Sequence, residues 1–84
     1  MEALKMFFLY KFNDCKSITC WPDVKDREYN SFLKEAQSIA QKAKLDINAV
    51  PELADIFLEL VESPRSSEAT ASKKYKAWYG KLVK

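Results

Sequence analysis

A single glycine, Gly80, in 84 residues sets the first limit on what this chain can become. Tight hairpins and phosphate-cradling loops need backbone at positive φ, which glycine supplies most cheaply. A fold of several β-hairpins is therefore disfavoured. One glycine also excludes the GxGxxG and GxxxxGK[ST] nucleotide loops by count alone. Helices joined by short polar turns need few glycines, so the chain reads as mainly α.

The length points to one small domain over residues 1–84. A chain this short buries roughly 60–65% of the surface its unfolded form exposes, so the supply of core residues matters. Hydrophobic residues make up 48% and aromatics 13%, enough for a packed interior without a metal or disulfide staple.

Three helices follow from periodicity. The first covers about residues 24–44, capped by Asp23 or Asp26, with Tyr29, Phe32, Leu33, Ala36, Ile39, Ala40 and Ala43 in one apolar stripe. Lys42 and Lys44 stand at its C-terminal end, where the helix dipole favours cations. The second, about residues 51–62, opens on Pro51 and carries one narrow acidic stripe, Glu52, Asp55, Glu59 and Glu62. Its remaining side chains from Leu53 to Val61 are apolar, which marks it as the central helix. The third, about residues 67–83, follows the break Ser63-Pro64-Arg65-Ser66-Ser67, and either Ser66 or Ser67 can cap it. Ala71, Tyr75, Trp78 and Leu82 share one of its faces, with Lys73 and Lys76 largely opposite.

Residues Leu4–Phe12 (LKMFFLYKF) fit two periods. As a strand, Leu4, Met6, Phe8, Tyr10 and Phe12 point one way. Asn13-Asp14 then turns the chain into a second strand, Cys15–Trp21, which Pro22 ends. As a helix, Leu4, Phe7, Phe8 and Lys11 align, with Met6 and Tyr10 on a neighbouring strip. The aromatic and β-branched content favours the hairpin, so the expected fold is three packed helices with an N-terminal aromatic β-hairpin. The alternative is an all-α four-helix bundle.

Charge is uneven along the chain. Residues 1–64 hold eight basic and eleven acidic side chains, a net of −3, whereas residues 65–84 hold six and one, a net of +5. The C-terminal stretch KKYKAWYGKLVK interleaves its lysines with Tyr75, Trp78 and Tyr79. Cations beside aromatic rings suit an acidic protein surface, where Tyr and Trp anchor contacts, and equally suit phosphates and unpaired bases. The same aromatic spacing also describes a helix face buried in the core, with the lysines as its solvated side.

Catalytic equipment is sparse. Histidine, the commonest proton-transfer group and metal ligand near neutrality, does not occur. Cys15 and Cys20 have no neighbours that complete a four-ligand zinc set, so they read as two thiols in a reducing compartment. Glu59 and Glu62 lie on the solvent stripe rather than in a pocket. No metal, cofactor or catalytic residue is therefore expected, and the chain reads as no enzyme in its own right.

No basic residue leads the early apolar stretch, which argues against a signal peptide, and no apolar run reaches the ~20 residues that a bilayer span needs. The expectation is a cytoplasmic, non-enzymatic protein-binding module, an inhibitor or accessory factor of the kind phages and plasmids carry, docking on a larger macromolecule. Its partner is expected to be another protein with an acidic surface. The candidate contact residues are Trp21, in a polar connection expected to be exposed, and Lys73, Lys74, Lys76, Trp78, Tyr79 and Lys81. The rival reading is a nucleic-acid-binding protein using the C-terminal helix; a homo-oligomer is the third.

Overall fold

The computed structural model describes residues 2–83 as four α-helices and one 3₁₀ turn. They are α1 (Glu2–Lys16), α2 (Trp21–Lys42), the 3₁₀ turn Ile47–Ala49, α3 (Val50–Glu62) and α4 (Glu68–Leu82). Among the described residues there is no strand, so the N-terminal β-hairpin is overturned and the four-helix alternative fits.

The side chains of α1 give the reason. Leu4, Phe8, Phe12 and Cys15 are buried, spaced four, four and three residues apart along one helical face. A strand would have placed Met6 and Tyr10 beside Leu4, Phe8 and Phe12; instead they are 67% and 66% exposed. A helix satisfies its own backbone hydrogen bonds, whereas a lone hairpin leaves two open edges and is marginal in water. The β preference of aromatic residues reflects packing context, and here the context is helical.

Helix α2 begins at Trp21, earlier than the capping aspartates suggested. Cys20 takes the N-cap position without a side-chain hydrogen bond, and Pro22 lies in the first turn, where its missing N–H costs nothing. Asp23 thus falls inside the first turn, where its charge favours the helix dipole. The helix ends at Lys42 in a Schellman motif. Leu45 N–H donates to Ala40 C=O at 2.9 Å and Lys44 N–H to Gln41 C=O at 3.1 Å. Lys44 holds φ of 62°, the left-handed position that glycine usually fills.

The other two helices begin as the sequence suggests. Pro51 stands in the first turn of α3, and Ser67 Oγ caps α4 by accepting from Thr70 N–H at 3.3 Å. Six residues of α3 are buried: Val50, Leu53, Ala54, Phe57, Leu60 and Val61.

Helices α1 and α3 each pack against all three other helices, while α2 and α4 lie on opposite flanks with little or no contact. The bundle is accordingly flattened, 36 × 24 × 17 Å. The central position expected of α3 is therefore shared with α1. Phe32 and Phe57 stack at the heart of the core, with ring centres 4.4 Å apart; Phe7 stacks on the far side of Phe32 at 5.2 Å. Phe8 joins this group to Tyr75 of α4 at 5.5 Å. Stacked rings of this kind contribute about 0.5–1.5 kcal/mol beyond the area they bury.

Two polar contacts tie helices together, one at their ends and one between α1 and α2. Lys16 Nζ donates to Ser63 C=O at 2.6 Å, placing a cation at the C-terminus of α3, where the dipole is negative. Lys11 Nζ meets Glu28 Oε1 at 3.0 Å, with both side chains less than a fifth exposed. Burial pulls the Lys11 ammonium down, but the hydrogen bond and charge of Glu28 outweigh it and hold its pKa above the ordinary value.

Candidate functional site

Helix α4 carries most of the residues that the sequence singled out, and its packing splits them into two groups. Trp78 is 2% exposed and Tyr75 3%. The Trp78 indole N–H donates to Ala49 C=O at 3.1 Å, which ties α4 to the start of α3. Tyr79 is half-buried and stacks on Tyr75, their centres 6.1 Å apart and their planes 8° from parallel. Trp78 thus belongs to the core and is withdrawn from the contact surface, as the helical spacing of Ala71, Tyr75, Trp78 and Leu82 allowed.

The lysines point the other way. Lys73, Lys74, Lys76 and Lys81 are all exposed, with the small residues Ala69, Ala77 and Gly80 among them. Lys81 meets Glu52 Oε2 at 2.8 Å, so part of its charge is spent within the fold. Lys73, Lys74 and Lys76 have no carboxylate within ion-pair distance among the described residues. Lys84, at the end of the basic stretch, lies outside the described residues.

The acidic stripe of α3 is exposed along its length, and its neighbours hold three of its four members. Lys81 holds Glu52, the Tyr29 hydroxyl donates to Asp55 at 3.0 Å, and Lys25 holds Glu62 at 2.8 Å. The Lys25 hydrogen bond, opposed by partial burial and aided by Trp21, lowers the Glu62 carboxyl below its ordinary value. Burial, followed by the Asp55 hydrogen bond, raises the Tyr29 hydroxyl.

Trp21 sits in the first turn of α2, not in an exposed connection. It is half-buried, with its ring edge-on to Phe57 at 6.5 Å and its indole N–H 3.4 Å from Glu62 Oε2. The structure therefore separates Trp21 from the α4 lysines: the tryptophan belongs to the α2–α3 seam, while the lysines face outward from α4.

Sequence reading missed the outer face of α1. Met6 and Tyr10 are two of the four large hydrophobic residues that stand exposed among the described residues, and both lie on this helix. The helical reading of Leu4–Phe12 set them on a strip neighbouring that of Leu4, Phe7, Phe8 and Lys11; the strand reading set them on one face with Leu4, Phe8 and Phe12. Where α1 meets the end of α2, Ala3, Ile39, Lys42 and Ala43 line an open depression of about 360 Å³.

Cys15 and Cys20 are both free thiols. Cys15 is buried beside Glu28, its Sγ 3.8 Å from Oε1. Cys20 is exposed. Among the described residues, no three acidic or cysteine side chains converge to hold a metal, and no helix is long and apolar enough to cross a membrane. No family model, curated protein or solved structure matches the chain.

Proposed function

We propose that this chain is a non-enzymatic protein-binding module, an inhibitor or accessory factor that docks on the acidic surface of a larger protein through the outer face of α4. The observation that carries the reading is the cluster of Lys73, Lys74 and Lys76 on one helix, all exposed and without carboxylate partners among the described residues. Neighbouring like charges on one helix repel, and exposed lysines add little to stability. An acidic partner accounts for their clustering and would draw the protein in from a distance.

Nucleic acid is the weaker partner class. Binding of unpaired bases combines cations with exposed aromatic faces, and here Tyr75 and Trp78 are buried and Tyr79 stacks on Tyr75. A formal net charge of +2 is also low for a nucleic-acid domain.

The test compares the wild-type chain with a Lys73→Glu/Lys74→Glu/Lys76→Glu variant as baits. Proteins retained are identified, purified and titrated against both forms at low and high salt. A partner whose binding weakens with salt, and at least tenfold on charge reversal in a variant of unchanged circular dichroism, supports the reading. Equal binding by both forms sinks it. Salt-steep binding of labelled DNA or RNA by the wild type alone would hand the α4 face to nucleic acid.

A further inference from the structure

Gly80 is the one glycine of the chain, and no contact among the described residues requires it. Its φ is not positive, it lies inside α4 rather than at a turn, and a Cβ there would meet nothing within 4 Å. Glycine is among the poorest helix formers, so at this position it weakens the element that holds it. What the missing side chain does provide is room on the outside of the helix, where another backbone can come close.

That room lies within the basic face. At about 100° per residue, Lys73, Ala77 and Gly80 fall along one outward line of α4, opposite the buried Tyr75 and Trp78. Lys76 falls to one side of this line, and Lys74 and Lys81 to the other. Ala77 and Gly80 thus make a shallow notch, with lysines on its rim and one turn before it. Lys81 is held by Glu52, which leaves Lys73, Lys74 and Lys76 to meet charge from outside.

A notch on one helix receives the ridge of another, and the side chains at the crossing set how near the two axes come. A helix offers no open backbone edge to an extended strand, so an acidic strand would gain only loose charge pairs here. Carboxylates three or four residues apart on a helix share one face, which matches the spacing of Lys73 and Lys76. We propose that the partner of this face is an acidic α-helix, which crosses α4 at Ala77 and Gly80 and sets its carboxylates against Lys73, Lys74 and Lys76. The inference rests on the reading of α4 as the surface for an acidic protein, and names the form in which the acid is presented. Charge complementarity draws the two helices together, and the notch selects a helix over other acidic shapes.

The test is fluorescence anisotropy of two labelled peptides of about 20 residues, titrated with the intact chain up to about 500 µM. Both carry glutamates three and four residues apart on an alanine background. One is held helical by a side-chain staple; the other has the same charge and is broken by prolines. The expected result is salt-sensitive binding, at least fivefold tighter for the helical peptide. Gly80→Leu and Ala77→Leu are each expected to weaken that binding at least tenfold with helical circular dichroism unchanged. Ala69→Leu, about 12 Å along α4 from Ala77, is expected to change it less than about twofold. Binding that needs the lysines but ignores helicity or the leucines overturns the crossing helix and leaves the acidic-partner reading standing. Binding indifferent to Lys73→Glu/Lys74→Glu/Lys76→Glu overturns both. No binding of either peptide overturns the inference, while the bait experiment decides the acidic-partner reading separately. Tighter binding of single-stranded DNA than of the helical peptide also overturns it, and hands the face to nucleic acid.

Discussion

The indole N–H of Trp78 donates to the carbonyl of Ala49 at 3.1 Å, so a side chain near the end of α4 holds the residue that opens α3. Ala49 ends the 3₁₀ turn, and the bond therefore fixes where the connecting segment gives way to helix. Replacing Trp78 with phenylalanine keeps an aromatic body, but loses the donor and part of the volume. The expected cost is about 1–3 kcal/mol, from the unmet carbonyl and the space left behind. Urea unfolding followed by circular dichroism checks it; an unchanged midpoint would mean that the bond contributes nothing.

Two backbone positions are occupied by the wrong residue for stability, in opposite senses. Lys44 holds a left-handed φ of 62°, which costs a side-chain-bearing residue about 1–2 kcal/mol, so Lys44→Gly is expected to raise stability by up to about 1 kcal/mol. Gly80 lies within α4, and a Cβ there meets nothing within 4 Å. Gly80→Ala is expected to stabilise by about 0.5–1 kcal/mol. Thermal melts of the single and double variants check both, and the gains should add because the sites share no partner.

The two thiols should behave differently. Burial raises the Cys15 thiol to about 11; Lys11 opposes the shift, and Glu28 and Asp14 reinforce it. A folded chain is expected to present one fast thiol, Cys20, to a disulfide reagent near neutral pH, and Cys15 only on unfolding. The linkage has a definite sign. Above the ordinary thiol pKa the unfolded chain gives up the Cys15 proton while the folded one retains it. Stability is therefore intact below that value and falls as pH rises toward 11. Cys15→Ala should flatten that alkaline slope.

Glu62 has the opposite sign. Its carboxyl is lowered in the folded state, so the stabilisation it contributes is present above the ordinary carboxylate range and is lost as pH falls through its depressed value. Trp21 shares the Glu62 oxygen that Lys25 holds and reports the event. In a Trp78→Phe background, Trp21 fluorescence is expected to titrate at acid pH, and Glu62→Gln to abolish that step. A step that persists in the glutamine variant would place the titrating group elsewhere.

Residues with one dominant period were legible from sequence alone. Pro51 marked the start of α3 and the Ser66-Ser67 pair that of α4, where Ser67 proves to be the cap, and the acidic spacing of Glu52, Asp55, Glu59 and Glu62 marked the solvent stripe of α3. Residues Leu4–Phe12 were not legible, because an aromatic run supports period 2 and period 3.6 alike until a core exists to select one. Trp21 was misread for a related reason: Pro22 looked like the end of a strand, when a first helical turn accommodates it equally well. Within the site, the exposure of Lys73 and Lys76 followed from the periodicity of α4. The pairing of Lys81 with Glu52 depends on how α3 and α4 pack side by side, and no local pattern reports that.

The shared position of α1 and α3 bears on how the chain is made. As α1 leaves the ribosome its buried face, Leu4, Phe8, Phe12 and Cys15, has no native cover, and Tyr75, which meets Phe8, follows 67 residues later. Native burial of α1 must therefore await the synthesis of α4. Until then an aromatic stripe stands open to chaperones and to neighbouring nascent chains. Fragments lacking α4 would leave the α1 side of the core uncovered, so truncation should yield insoluble or rapidly degraded products rather than a smaller bundle.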